Sequence, residues 1–251
     1  MATEVEKGRR IKRLIRHPRR VRWLHAATYL LTIPLIWTGW WLLVGEEGHP
    51  SFLARAFGVA DVRLHVWVGR IFALLILGVV VVGHRGVRTF IRQSFRRDRG
   101  DAAWWIRWPR AVFTGGFARH EGTFDPGQRV ANVLIVGGLI VLTASGIALT
   151  VLHGGPVFAW LAKIHLWTAV IVTPVILGHV LVAVGVLPGY KGVWRSMHLG
   201  GRVPEETAQR VWPGWTERTI SGTPEDDADV RLANAPPPAR RGSAAASDPP
   251  G

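Results

Sequence analysis

Long stretches without charged residues divide this chain, and the charged side chains collect between them. A helix needs about 20 predominantly apolar residues to cross the hydrocarbon core of a bilayer. With histidine counted as neutral, Arg70 is the only charge in the apolar stretches 23–45, 64–84, 130–162 and 164–190. The pattern therefore predicts four transmembrane helices, at about 21–45, 63–84, 130–152 and 162–188.

The composition of the chain allows a choice between a membrane protein and a nucleic-acid-binding protein. The chain has 31 Lys and Arg against 17 Asp and Glu, a net charge of +14 that by itself suggests nucleic-acid binding. The basic residues hardly overlap with the apolar stretches, however, and a nucleic-acid-binding protein does not need four membrane spans. We therefore exclude nucleic acid as a partner. The sequence predicts an all-α integral membrane protein built as a four-helix bundle.

The placement of basic residues predicts the orientation of this bundle. Nine Lys and Arg lie in 1–22, ten in 85–129 and eight after Tyr190. Basic residues are enriched on the cytoplasmic side of membrane proteins. We expect a multi-pass protein of the cytoplasmic membrane with both termini inside. The basic N-terminus is interpreted as this orientation signal, which also contacts anionic lipid, rather than as a site that recognises a specific partner.

The chain divides into three parts. A basic arm (1–20) precedes the four-helix domain (21–218), and a tail (219–251) rich in Ala, Pro, Ser and Gly is predicted to be disordered. In the middle connection, 101–109 mixes tryptophan with arginine, which predicts a short helix on the cytoplasmic membrane surface. The chain has no cysteine, so disulfides, iron–sulfur ligation and covalent haem attachment are excluded.

Four histidines lie inside the predicted spans: His25, His65, His165 and His179. An ionisable side chain inside a span is costly and usually faces a partner or a cofactor. His165 and His179 are 14 residues apart, about 21 Å along a helix and about 40° around it, so both face the same interior. Since the helices alternate in direction, His65 matches His165 in depth and His25 matches His179. Bis-histidine ligation therefore predicts two haem b sites, one near each surface.

Other residues within the spans leave two interpretations open. Glycines on interior faces provide room for a porphyrin or simply allow close helix packing; they are Gly39, Gly69, Gly137, Gly138 and Gly146. Arg70 is a partner for a haem propionate or for an acidic chain of another subunit. Pro174 is expected to kink the fourth helix. His84 is expected to end the second span and reach towards the headgroups.

Several short motifs occur along the chain in an order that is typical of one protein family. The first two spans contain Arg22-Trp-Leu-His25-Ala and Leu64-His65-Val-Trp-Val-Gly69. The second half contains Phe124-Asp-Pro-Gly-Gln128-Arg, Ser145-Gly146, Ile164-His165 and Gly178-His179-Val. After the fourth span come Lys191-Gly192, Met197, Gly200-Gly-Arg-Val203 and Trp212-Pro-Gly-Trp215. Over about 20–216 the chain resembles the cytochrome b (gamma) subunit of respiratory formate dehydrogenases, within the wider group of hydrogenase and thiosulfate-reductase cytochrome b subunits.

This resemblance implies haem ligation in the pairs His65/His165 and His25/His179. It also implies a menaquinone site on the cytoplasmic side, to which Asp125, Gly127 and Gln128 would contribute. Asp125 stands where the family has asparagine, and Asp-Pro at this point is also an ordinary helix start. Val211-Trp-Pro-Gly-Trp215 takes the place of a family motif with two histidines.

The resemblance further implies that the chain has no primary catalytic residues of its own. A partner with iron–sulfur clusters and a molybdenum or tungsten subunit would supply the substrate chemistry. The chain would anchor them and carry electrons to the quinone. Two alternatives remain: the cytochrome b subunit of a nickel–iron hydrogenase or related oxidoreductase, and a haem-free scaffold or transporter. A cytochrome b of the bc-complex type is disfavoured, because there two helices each carry two ligands.

Overall fold

The computed structural model describes residues 12–46 and 48–223, so the predicted arm is seen only from residue 12 and the predicted tail only to residue 223. Within these residues four helices are long and apolar enough to cross a membrane. They are α1 (Arg19–Val44), α3 (Asp61–Val82), α6 (Pro126–Val151) and α7 (Gly155–Ala183). The prediction of four spans is confirmed.

The ends of these helices follow from local chemistry. The Asp125 side chain accepts the Gln128 N–H at the start of α6, and Pro126 occupies the first turn, where a missing N–H costs nothing. Helix α7 begins and ends earlier than predicted. It starts after Gly154 and ends at Ala183, because Gly185 adopts a left-handed φ of 76° that does not continue a helix.

The spanning helices form two antiparallel pairs, α1 with α3 and α6 with α7, which are joined along α3 and α6. Their outward faces are exposed and apolar: Leu74 is 68% exposed and Val82 is 85% exposed. Such faces suit contact with lipid. The short helix α2 (Phe52–Phe57) lies between α1 and α3, where Asp61 accepts hydrogen bonds from both the amide and the hydroxyl of Ser51.

The remaining elements gather at one end of the bundle, which we call the capped end. They are α4 (His84–Ser94), α5 (Asp101–Thr114), a 3₁₀ turn (Pro188–Tyr190), α8 (Trp194–His198), α9 (Glu205–Val211), α10 (Pro213–Ser221) and the strands β1 (Arg13–Ile15) and β2 (Arg202–Pro204). The strands pair antiparallel, with Leu14 opposite Val203. The opposite end, with the connections 45–60 and 152–154, is the far end.

The capped end contains the main hydrophobic core. Its buried members are Leu14, Val112, Tyr190, Val203, Ala208, Val211 and Trp212. These residues come from five separate segments, so the core closes only when both ends of the described chain meet. The domain boundary expected at residue 218 stays a prediction; α10 continues past it to Ser221 and ends at Gly222 in a left-handed conformation.

Arg16 joins three parts of the cap. Its guanidinium lies 4.3 Å from the ring centroid of Trp212 and 4.5 Å from that of Trp215. One of its amino groups donates to the Thr123 carbonyl oxygen at 2.6 Å. A cation held against aromatic faces away from water contributes about 2 kcal/mol. The Trp-Pro-Gly-Trp segment therefore clamps the N-terminal strand.

Two predictions for the middle connection need correction. The helix predicted at 101–109 extends to Thr114, and it does not simply lie on a surface: Trp104 is 1% exposed and stacks on Phe117 at 6.2 Å. His84 does not end the second span, because α3 stops at Val82 and His84 begins α4. Gly83 separates the two helices and redirects the chain.

Replacing Trp212 with alanine is expected to open the cap. The change removes a buried indole and one of the two aromatic rings that contact Arg16. A buried large-to-small substitution of this kind lowers the free energy of unfolding by about 3–5 kcal/mol. In detergent-solubilised protein, limited trypsinolysis should cleave faster at Arg202 and Arg210 while the spanning helices stay intact. Ile220→Ala, at a half-exposed position of α10, is the matched control. Equal cleavage rates in the two variants would contradict this account of the cap.

Candidate functional site

The structure brings the four intramembrane histidines together as two pairs. His65 on α3 and His165 on α7 have ring centroids 6.2 Å apart, with the ring planes at 78°. His25 on α1 and His179 on α7 have ring centroids 6.5 Å apart, at 55°. We call these the far-end pair and the capped-end pair.

The two pairs lie at different depths along the bundle. On α7 the 14 residues from His165 to His179 span about 21 Å. On α1 the 13 residues from His25 to Thr38, which contacts His65, span about 20 Å. The match depends on the early start of α1 at Arg19, because this start places His25 inside the helix rather than at its edge.

Hydroxyl groups orient the far-end pair. The Thr38 hydroxyl oxygen lies 2.9 Å from His65 Nδ1, and the Ser145 hydroxyl oxygen lies 3.0 Å from His165 Nδ1. Each hydroxyl donates its own hydrogen one turn back, to the carbonyl oxygen of Pro34 at 2.7 Å or of Val141 at 2.6 Å. The hydroxyl oxygens therefore accept the Nδ1–H, which leaves each Nε2 lone pair free to bind a metal.

Glycines beside these hydroxyls give the imidazoles their space. A Cβ added at Gly39 would lie 3.3 Å from His65 Cε1, and one added at Gly146 would lie 3.2 Å from His165 Cε1. Gly138 instead allows close packing of Val172, and Gly137 faces open space. Of the five glycines noted in the sequence, Gly39 and Gly146 thus make room beside an imidazole and Gly138 allows close packing, whereas Gly69 meets only Leu35 Cδ2, at 3.9 Å.

The capped-end pair has aromatic and polar surroundings. His25 contacts Tyr29 at 5.6 Å and His198 at 5.9 Å between ring centroids. Its Nδ1 is buried and has no hydrogen-bond partner among the described residues. The Arg22 side chain donates to the Met197 carbonyl oxygen at 3.1 Å and so holds α8 over this pair. His198 lies outside the predicted spans, and the sequence did not indicate its contact with His25.

The three residues of the expected quinone site lie at the start of α6. Asp125 is 4% exposed, and burial raises the pKa of its carboxyl above the ordinary range, although its Gln128 hydrogen bond and the charges of nearby basic residues oppose the shift. The Asp125 charge also acts on His179. A Cβ on Gly127 would lie 2.8 Å from the ring of Trp104. Gln128 Oε1 is buried and lacks a hydrogen-bond partner in the part of the chain that the structure describes.

Outside the spans, His120 is buried and His17 is partly buried, although neither was among the expected site residues. His120 is 1% exposed and its Nε2 bonds the Val211 carbonyl oxygen at 2.9 Å. Burial, reinforced by the charges of Arg16, His25 and Arg22, lowers the pKa of His17 to about 3. No local pattern distinguishes these two from the exposed histidines, because their burial depends on contacts between distant segments.

Arg70 lies on the exposed side of α3. Its guanidinium is 5.8 Å from the centroid of the exposed Trp67 ring. This outward position is poorly suited to a haem propionate between the helices. It favours the second interpretation, in which the arginine meets an acidic group outside the chain.

The sequence matches one known protein family over most of its length. Residues 16–200 match the family described as prokaryotic cytochrome b561. The chain belongs to that family. Its members are membrane cytochromes that bind haem b and take part in electron transfer, which confirms the wider hydrogenase-type cytochrome b group expected from the sequence. No curated protein matches the chain.

The residues of this cytochrome b561 fit haem b. An imidazole nitrogen binds a transition metal at about 2 Å, and each ring centroid lies about 1 Å behind that nitrogen. Two axial imidazoles on one iron therefore have centroids about 6 Å apart, and the observed pairs are 6.2 and 6.5 Å apart. For the far-end pair, the Nδ1 hydrogen bonds that leave Nε2 available and the glycine clearances agree with this fit.

Side chains added at the two clearance glycines are expected to reduce haem binding. In Gly39→Val or Gly146→Val the new Cβ and its methyl groups push against an imidazole that has little room to move. The haem b content of the purified protein, measured from the reduced-minus-oxidised spectrum, should fall in both variants. Gly137→Val is the matched control, since nothing lies within 4 Å of its Cβ. Full haem content in Gly39→Val would contradict the assigned clearance.

Proposed function

We propose that this protein is a membrane-anchoring dihaem cytochrome b subunit that carries electrons from an iron–sulfur partner across the membrane to menaquinone. The observation that carries the proposal is the presence of two facing histidine pairs about 21 Å apart along α7. A single haem needs only one such pair. His65 and His165 would hold one haem b, and His25 and His179 the other.

Bound there, the two haems would supply one-electron redox centres near both surfaces of the bilayer. The chain itself fixes the separation of these centres through α7, which provides one ligand to each. Helices α1 and α3 provide the other ligands from opposite directions. The four apolar spanning helices would keep water from the path between them.

The capped end is proposed to face the cytoplasm. Arginines concentrate in the connection that forms α4 and α5, whereas the far-end connections carry few basic residues. This asymmetry is the positive-inside pattern. A partner that delivers electrons from outside would then dock at the far end, above His65 and His165.

The quinone site is proposed at the start of α6. Gln128 provides a buried amide oxygen without a partner, and Asp125 provides a carboxyl group that is protonated more readily than an exposed one. Both lie at the capped end, and the Asp125 charge reaches His179. We propose that Gln128 binds the quinone head and that Asp125 exchanges its proton with the cytoplasm.

The catalytic partner subunit would determine the substrate of the whole complex. The motif resemblance favours a formate dehydrogenase, with the molybdenum or tungsten site on another polypeptide. The family match is equally consistent with a nickel–iron hydrogenase. Arg70 supports a partner with an acidic group in the membrane. Purification in mild detergent separates the two assignments, because the associated large subunit oxidises either formate or hydrogen.

Single alanine substitutions at the four histidines are expected to remove haem in pairs. His65→Ala and His165→Ala should each abolish one and the same b-type component in a spectroelectrochemical titration. His25→Ala and His179→Ala should abolish the other, since an iron that loses one axial ligand loses the tight site. His153→Ala, in the far-end connection, is the control. Loss of one component by both His65→Ala and His179→Ala would refute the pairing, and absence of haem from the native protein would refute the function.

The quinone site predicts a specific dependence on pH. The raised pKa keeps the Asp125 carboxyl protonated at higher pH than an ordinary aspartate, and this proton is lost as the pH rises. Reduction of the haem by a menaquinol analogue, followed in the b-type absorbance across a pH series, should therefore change in the native protein as the pH rises through the pKa of this carboxyl. Asp125→Asn should flatten that change.

Gln128→Leu should weaken quinol binding by roughly tenfold, because it removes one hydrogen-bond partner. Thr150→Val, at the other end of α6, serves as the control for both variants. Native pH dependence in Asp125→Asn, with native quinol affinity in Gln128→Leu, would place the quinone elsewhere while leaving the haem assignment intact.

A further inference from the structure

We infer that Thr38 and Ser145 are positioning residues that hold the two far-end imidazoles by their Nδ1–H groups and lower the reduction potential of the haem bound between them. The inference rests on the proposed haem ligation. It concerns two hydroxyls that were not among the expected site residues. It goes beyond the identity of the ligands, because it predicts that the haem at the far end has the lower reduction potential of the two.

The two hydroxyls occur in matched settings. Thr38 precedes Gly39 on α1, and Ser145 precedes Gly146 on α6. In each case the hydroxyl contacts Nδ1 of the facing histidine, and the following glycine clears space beside Cε1 of the same ring. Both hydroxyl groups are buried. The same arrangement, a hydroxyl residue followed by glycine, therefore occurs once for each histidine of the far-end pair.

The geometry also fixes the direction of each hydrogen bond. A hydroxyl has one hydrogen, and each of these donates it to a carbonyl oxygen one turn back, at 2.7 Å for Thr38 and 2.6 Å for Ser145. The oxygen can then only accept from the imidazole. Each ring is held in the tautomer with hydrogen on Nδ1, so Nε2 is the nitrogen presented to the iron. A ring without this bond can rotate or change tautomer more freely.

An accepted Nδ1–H bond makes an imidazole a stronger donor to its metal. Stronger donation from the axial ligands stabilises the oxidised iron and lowers its reduction potential, since second-shell hydrogen bonds are one of the levers that tune haem. Both far-end ligands have such a bond. At the capped end, His25 Nδ1 is buried without a hydrogen-bond partner among the described residues. The far-end haem is therefore expected to have the lower potential of the two, which favours electron flow from the far end to the capped end.

The test is a redox titration of the full-length protein in detergent with the b-type spectrum as the readout. Thr38→Val removes the hydroxyl at almost constant volume, and Ser145→Ala removes the other. Each should raise the potential of the far-end haem, lowering the equilibrium constant for electron transfer to the other haem by about tenfold, or about 59 mV for a one-electron couple. The electron paramagnetic resonance signal of that haem should shift as well, because the ring orientation loosens.

Conservative and control variants separate positioning from packing. Thr38→Ser and Ser145→Thr keep the hydroxyl and should restore both the potential and the resonance signal. Thr143→Val removes a hydroxyl that makes the same one-turn bond, to the Leu139 carbonyl oxygen at 2.7 Å, two residues from Ser145; it should leave both haems unchanged. If Thr38→Val loses the far-end haem while Thr38→Ser keeps it, the hydroxyl is still the group responsible.

Several results would overturn the inference. Unchanged potentials in Thr38→Val and Ser145→Ala, with both haems present, would do so while leaving the dihaem proposal standing. Loss of the far-end haem in Thr38→Ser as well as in Thr38→Val would show that the hydroxyl is not the cause. The component missing from His65→Ala should be the lower-potential one in the native titration; if it is the higher, the inferred asymmetry is wrong. Native protein without haem would instead refute the proposed function.

Discussion

Polar groups within a bilayer cannot hydrogen-bond to water, and this constraint organises the bundle. Four imidazoles lie in the spanning helices, where water cannot solvate them. They are accommodated by meeting in pairs, and the helical repeat of α7 sets the distance between the pairs. The two antiparallel helix pairs, the early start of α1 and the glycines next to the rings together bring imidazoles from different helices to a common depth.

The histidine pairs at the two ends of the bundle have different surroundings. At the far end the spanning helices alone complete the surroundings of the histidines, with hydroxyls and glycines from α1 and α6. At the capped end the segments outside the membrane complete them: α8 covers His25, and Asp125 starts α6 within electrostatic reach of His179. The proposed function would use this difference, because one end would receive only electrons while the other would also exchange protons.

Sequence reasoning located the spans and the histidine pairs because both follow from short-range rules. Hydrophobic length predicts a helix, and a spacing of 14 residues puts His165 and His179 on one face whatever surrounds them. It did not anticipate the cap. The core around Trp212 joins segments far apart in the chain, and no local pattern shows that Arg16 meets Trp212. The roles of Thr38 and Ser145 were missed for a similar reason: a hydroxyl in an apolar helix becomes informative only when its neighbour across the interface is known.

The pairing of β1 with β2 has a consequence for how the protein is made. Strand β1 is synthesised before the four spans and its partner β2 after them, so the two strands cannot pair until all four spans have been made. The far-end pair needs only the membrane helices and is complete earlier. Helix α8, which covers His25, also follows the four spans, so the capped-end pair remains accessible from that side until α8 has been synthesised. We expect the molecule to have an interval during biogenesis in which a prosthetic group can enter from the capped end, and docking of α8 to end it.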